Sequence, residues 1–257
     1  MQSLKGRIVC ITGASSGIGA ACAEEFARAG ASLLLVARRK DRLDALAGKL
    51  KAQHGIPVHT FCLDVRERQK VELAFNSLEK DWQQIEILLN NAGLSRGLSK
   101  LHEGSVQDWE EMIDTNVKGL LYVSRYVIPG MVSRNRGHII NIGSIAGHQT
   151  YPGGNVYSAS KFAVVGLTRS LKMDLFGTPI RVTNVEPGLV RTEFGAVRFR
   201  GDTDRAAKIY EGYKPLEPAD VADIVLFCAT RPAHVNLLEV LVVPTDQASA
   251  TMVYKTS

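Results

Sequence analysis

The stretch RIVCITGASSGIGAACAEEFARAG, residues 7–30, reads as a strand, a glycine-rich turn and a helix. RIVCIT is an apolar, β-branched run of strand length. AACAEEFARAG returns its apolar residues at helical spacing. Between them lie Gly13, Gly17 and Gly19, with Ser15, Ser16 and Ile18 completing the turn. Glycines here permit a tight turn and let backbone N–H groups approach a pyrophosphate at the helix N-terminus. The spacing is G-x-x-x-G-x-G rather than the G-x-G-x-x-G of the usual dinucleotide fingerprint. Such a turn can be no more than a turn. Its place after a strand and before a helix predicts a nucleotide site.

The same alternation continues along the chain. Strand-like runs RIVCIT, SLLLVA, VHTFCL, IEILLN, HIINIG, IRVTNV and LEVLVV alternate with helical patterns near 17–29, 40–54, 66–81, 105–134, 155–176 and 218–230. Near-continuous apolarity in the strands suits a parallel sheet covered on both faces. Alternation of this kind implies right-handed βαβ units and an α/β, doubly wound parallel sheet of seven strands. No repeat, low-complexity segment or linker interrupts it, so residues 1–257 are expected to form a single domain. Residues 188–217 lack a strand and break the rhythm, which marks them as a lid over the substrate.

Composition bounds the function. The chain has 257 residues, 45% hydrophobic and 22% charged, with a net charge of +5. That is ample for one large core. Its basic residues are scattered without aromatic interleaving, which argues against nucleic acid and leaves acidic small molecules as ligands. No apolar run is long enough to span a bilayer, and the N-terminus enters a strand pattern at once, so neither a membrane span nor a signal peptide is expected. Cys10, Cys22, Cys62 and Cys228 sit in apolar contexts without a Cys-x-x-Cys pair. Buried free thiols in a reducing cytoplasm are expected. The six histidines show no metal-ligand spacing. No metal is expected, and His102, His138 and His148 read as surface or strand-edge residues.

Other motifs carry the chemistry. SLLLVA ends in Arg38 and Arg39, where an acid would bind the ribose 2′-OH of NAD and an arginine accommodates the 2′-phosphate of NADP. The bland alternative is a solvated, charged helix start. NADP(H) is the expected cofactor. Asp64, followed by Val65, can accept from an adenine amino group or simply cap the next helix. Asn91, Ala92 and Gly93 of NNAG let the backbone approach a flat ligand. Asn116 falls mid-helix, either as a neutral oddity or as the holder of a water relay. Ser144 ends a strand. Tyr157 and Lys161, four apart, share one face of a helix. A nearby ammonium favours the phenolate by ~4 kcal/mol at ~4 Å, which would bring Tyr157 toward the operating pH. The spacing alone is weak evidence, because Tyr210 and Lys214 repeat it ahead of Pro215 with no strand before them.

Taken together, TGASSGIG, NNAG, Asn116, Ser144, Tyr157-x-x-x-Lys161, and Pro187-Gly188 with Thr192 make the chain resemble a short-chain dehydrogenase/reductase from residue 7 to about 192. The resemblance implies a Rossmann-type sheet of order 3-2-1-4-5-6-7 and a homotetramer built on the helices near 105–134 and 155–176. It implies that Tyr157 is the acid/base and that Lys161 lowers its pKa and binds the nicotinamide ribose. Ser144 would hold the substrate oxygen, Asn116 a water, and Pro187, Gly188, Val190 and Thr192 the nicotinamide.

PGGNVYSASK, VEPGLVRTEF, VRFRGD and RPAHVNL further resemble NADP-dependent 3-hydroxy acid dehydrogenases. Serine, allo-threonine or a 3-hydroxypropionate-type acid would then be the substrate. Among the lid arginines Arg191, Arg198, Arg200 and Arg205, a guanidinium fork suits a carboxylate or sulfonate. Arg198 is the first choice for that clamp and Arg191 the second; the alternative is that they face solvent. Two further readings stand: an NADPH-dependent reductase of sulfoacetaldehyde or a neutral carbonyl, and a non-catalytic nucleotide sensor.

Overall fold

Seven short apolar strands pair in parallel in the order β3-β2-β1-β4-β5-β6-β7, in a computed structural model that describes residues 3–256. In chain order they are β1 (Ile8–Thr12), β2 (Ser32–Ala37), β3 (Val58–Cys62), β4 (Ile85–Asn90), β5 (His138–Ile142), β6 (Arg181–Pro187) and β7 (Glu239–Val242). β2 and β5 are buried at every position, as strands covered on both faces must be. One apolar cluster joins Val9, Ile11, Leu33 and Leu35 to Phe26 and Val225. The other joins Cys10, Leu34, Leu88 and Ile139 to Val123, Val127 and Met131 on the opposite face. Alternate residues of each central strand thus feed opposite cores.

The helices over these faces are α1 (Gly17–Arg28), α2 (Lys40–His54), α3 (Arg68–Asn76), α4 (Val106–Ile113), α5 (Leu120–Ser133), α6 (Asn155–Asp174), α7 (Phe194–Arg198), α8 (Thr203–Ala207) and α9 (Pro218–Ala229). The expected helix over 66–81 is shorter at both ends. That over 105–134 is α4 and α5 joined by a π-helical turn, Asp114–Gly119, which holds Asn116. The segment 188–217 has no strand but contains α7 and α8, each too short for a periodic signature. Among the described residues no helix is long and apolar enough to cross a membrane.

Two expectations fail. His138 lies on β5, buried, with Nε2 2.8 Å from Thr183 Oγ1. It reads as polar, but the central position of β5 decides its burial. Cys62 is exposed, because it ends β3 at the edge of the sheet, while Cys10, Cys22 and Cys228 are buried.

Candidate active site

From β1 the chain order runs outward in both directions, to β2 on one side and β4 on the other. A crevice at the carboxyl ends of the strands follows from that switch. α1 begins there at Gly17, with Ser16 as an extended N-cap that makes no side-chain cap bond and no acid in the first turn. Its first N–H groups are left to meet an anion. Gly13 has φ +67°, and a Cβ on it would stand 2.9 Å from Ala92 Cα. The glycine-rich loop and the NNAG turn therefore pack backbone against backbone. Asn91 Nδ2 fixes them by donating to Thr12 O at 2.9 Å and Gly13 O at 3.2 Å.

Arg39 reaches into the loop, its Nη2 donating to Ser16 Oγ at 2.5 Å and Ser15 Oγ at 3.2 Å. Arg38 lies 3.8 Å from Asp64. Asp64 does not cap α3, whose N-cap is Glu67. Its carboxylate is taken by Arg66, with Nη2 at 2.7 Å and Nε at 3.0 Å, a pairing two residues away that the sequence reading did not weigh.

At the other end of the crevice, Ser144 follows β5 and caps the turn Ile145–Gly147, its Oγ accepting from Ala146 N at 3.1 Å. Tyr157 and Lys161 share the buried face of α6, as their spacing predicts. Lys161 Nζ donates to Ile142 O at 2.9 Å and stands 5.9 Å from the centre of the Tyr157 ring. Burial pulls its ammonium down to about 8. Burial pushes the Tyr157 phenol up to about 12, reinforced by Tyr151 and opposed by Arg198 and a hydrogen bond with Ser144. The expected acidification by Lys161 is thus reversed: desolvation outweighs attraction, and the ammonium is turned toward a backbone carbonyl.

Asn116 is anchored by protein partners. Its Oδ1 accepts from Leu94 N at 2.8 Å, and its Nδ2 donates to Leu94 O at 2.8 Å and Ser160 Oγ at 3.0 Å. These contacts fix its side chain within the protein.

One cavity of about 560 Å³ runs from Arg38 and Arg39, past Ser144, Tyr157, Lys161, Pro187, Gly188, Val190 and Thr192, to Arg198. Of the expected site residues, Gly19, Asn116 and Arg191 do not line it. Arg198 crosses the Tyr157 ring at 5.5 Å, held by Ser95 Oγ and Tyr151 OH, each at 3.1 Å. Arg191 lies instead 3.6 Å from Glu217. Arg200 pairs with Asp108, and Arg205 stacks on Phe199.

A family profile described as short chain dehydrogenase matches residues 7–202. The chain belongs to the short-chain dehydrogenase family. It is 50% identical over 244 residues to an NADP-dependent 3-hydroxy acid dehydrogenase of Salmonella typhi, covering 95% of this chain and 97% of the relative. It is 47% identical, over the same shares, to the protein of that name from Escherichia coli strain K12. A solved serine dehydrogenase in closed form with NADP+ superimposes with a TM-score of 0.90 at 45% identity, covering 97% of this chain and 100% of that one.

In this short-chain dehydrogenase several lining residues carried no sequence signal of their own. Tyr151 and Phe194 flank Arg198, and Gln247 Oε1 accepts from Leu189 N at 2.9 Å beside Gly188. The TYPGG loop around Tyr151 could have flagged an aromatic close to Tyr157; Gln247, far along the chain, offered nothing. The tyrosine of the second Tyr-x-x-x-Lys braces the 188–217 segment instead, Tyr210 OH donating to Val190 O at 2.9 Å.

Proposed function

We propose that this dehydrogenase uses NADP(H) to interconvert a short 3-hydroxy acid, of the serine, allo-threonine or 3-hydroxypropionate type, with its oxo acid or semialdehyde. The observation that carries the substrate class is Arg198, a guanidinium fixed over the Tyr157 ring at 5.5 Å. A carboxylate held there sets a carbon two or three bonds away beside the phenol.

The cavity suits the cofactor. Bare helix N–H groups and serine hydroxyls stand at one end, with Arg39 among them. The Gly13 contact leaves no room for a side chain where the backbone must approach. Relatives named as NADP-dependent support the same choice. When bound, NADPH supplies the hydride. The protein supplies the rest. Tyr157, held as a neutral phenol, carries the proton that the substrate oxygen takes up in reduction. Ser144 shares that oxygen and steadies its growing charge. Arg198 adds positive charge near the phenol, which eases its ionisation in the oxidative direction. Asn116 holds Leu94 and Ser160 in place behind the site.

The experiment is a comparison of substrates. Arg198→Ala should raise KM for malonic semialdehyde about 10- to 100-fold, the worth of a charged hydrogen bond, with little effect on a neutral aldehyde. Equal effects on both would favour the neutral-carbonyl reading. Sulfoacetaldehyde, also anionic, belongs in the same series. The protein is further proposed to be cytoplasmic and homotetrameric, a single domain with a substrate lid over residues 188–217.

A further inference from the structure

The lid begins against the cofactor loop. A Cβ on Gly17 would meet Thr192 Cγ2 at 3.2 Å, so Thr192 lies directly over the turn. The next residue, Glu193, spans the mouth of the crevice. Its Oε2 accepts from Arg39 Nη1 at 2.7 Å and its Oε1 from Arg42 Nη1 at 2.6 Å. Arg39 is thus shared: Nη2 serves the loop hydroxyls of Ser15 and Ser16, and Nη1 serves a lid carboxylate 154 positions along the chain.

We infer that Glu193 is a determinant of cofactor affinity, an internal anion that competes with the 2′-phosphate of NADP(H) for Arg39. The inference rests on the NADP reading above. A 2′-phosphate recognised by Arg39 with Ser15 and Ser16 brings nearly two negative charges close to this carboxylate. Like charges at that range repel, and a guanidinium already bidden for by one anion is less available to another. Arg42 gives the carboxylate somewhere to stay. Because Oε1 is already on Arg42, the exchange needs only the Arg39 contact to break. The hydrogen bonds from Arg39 and then Arg42 hold the Glu193 carboxyl below the usual range, so it is an anion wherever the enzyme works. Glu193 therefore sets a ceiling on how tightly the phosphorylated cofactor binds, and it ties release of the lid's first residues to arrival of the phosphate. NAD, lacking that phosphate, leaves the clasp closed.

The test separates the phosphate from the rest of the cofactor by titrating the full-length protein, in a calorimeter, with adenosine 2′,5′-bisphosphate and with 5′-AMP. Glu193→Gln should bind the bisphosphate about three- to tenfold more tightly, the scale of an exposed ion pair with its repulsion removed, and AMP as before. Glu193→Ala should likewise tighten the bisphosphate and leave AMP unchanged, and since Glu193 is half-exposed neither change threatens the fold. In an Arg39→Ala background the gain from Glu193→Gln should shrink, because only the direct repulsion remains once the guanidinium competed for is gone. Unchanged or weaker bisphosphate binding by both Glu193 variants, equal tightening of AMP, or an undiminished effect in the Arg39→Ala background would overturn the competition. Those outcomes leave the cofactor assignment standing. Wild-type protein that binds the bisphosphate no better than AMP would sink the NADP reading, and the competition with it.

Discussion

Lys161 is only 7% exposed and its hydrogen bond goes to a backbone carbonyl, not to a carboxylate. An ammonium whose folded pKa is lowered, here from 10.5 to about 8, weighs against the fold. The sign follows from proton counting. Between those two values the unfolded chain binds more protons than the folded one, so stability rises with pH through that window. Below about 8 the full penalty is in force. Lys161→Met keeps the length of the side chain and removes the charge. At pH 7 the cofactor-free variant should melt higher than the wild type, gaining at most about 3 kcal/mol, while turnover is lost. The gain should shrink as the melts are repeated at rising pH up to 10. A variant that melts lower at pH 7 would falsify the assignment of a buried, uncompensated charge. Tyr157 and Lys161 were legible as a pair from spacing. Their protonation was not, because desolvation is a property of everything packed around α6, none of which is local in sequence.

The π-helical turn between α4 and α5 explains an otherwise awkward residue. Asparagine is a poor helix former, and here it sits where the helix widens, with its amide paired to both backbone groups of Leu94. Leu94 follows the NNAG turn, so Asn116 fastens the fourth strand's exit to α6 through Ser160. Asn116→Ala should leave a buried N–H and a buried C=O without their partner. A loss of about 2–4 kcal/mol is expected in denaturant unfolding, together with a fall in kcat larger than the change in KM. A variant as stable as the wild type would mean that those groups find water or another partner. The strands, the glycine-rich loop and six helical stretches, one of them holding both α4 and α5, were readable because apolar periodicity is written locally. The π turn was not, since its extra residue leaves the pattern of EEMIDTNVKGLL helical. α7 and α8 were missed for a different reason: at five residues each, they depend on packing within the 188–217 segment rather than on a local pattern.

At the scale of the molecule, two groups of exposed apolar residues stand out among the described residues. One carries Leu121 on α5 with Phe162 and Met173 on α6, and Phe176 just beyond, 89% exposed. The other carries Phe227 on α9 and Leu241 on β7, at the free edge of the sheet. The proposed homotetramer, with two-fold symmetry, would need two such faces. Phe162→Asp should therefore shift the sedimentation coefficient from tetramer toward dimer, leaving the second face to hold pairs together. A wild-type protein that sediments as a monomer at micromolar concentration would remove the proposal. The order of the sheet was legible from the resemblance, and Arg198 was legible as a residue of the cavity. The contacts that select one arginine over its neighbours were not, because Ser95 and Tyr151 lie 103 and 47 positions from Arg198.

The exposure of Cys62 has a practical side. Its three fellow cysteines are sealed in the cores, and burial pushes their thiols well above the ordinary range. An alkylating fluorophore therefore finds one sulfur on the folded molecule, at the end of β3, with Sγ 3.4 Å from the carbonyl oxygen of Arg38. Nature has left a ready-made attachment point for a dye beside the adenosine end of the crevice, and the arrival of a nucleotide there can be watched without altering a single codon.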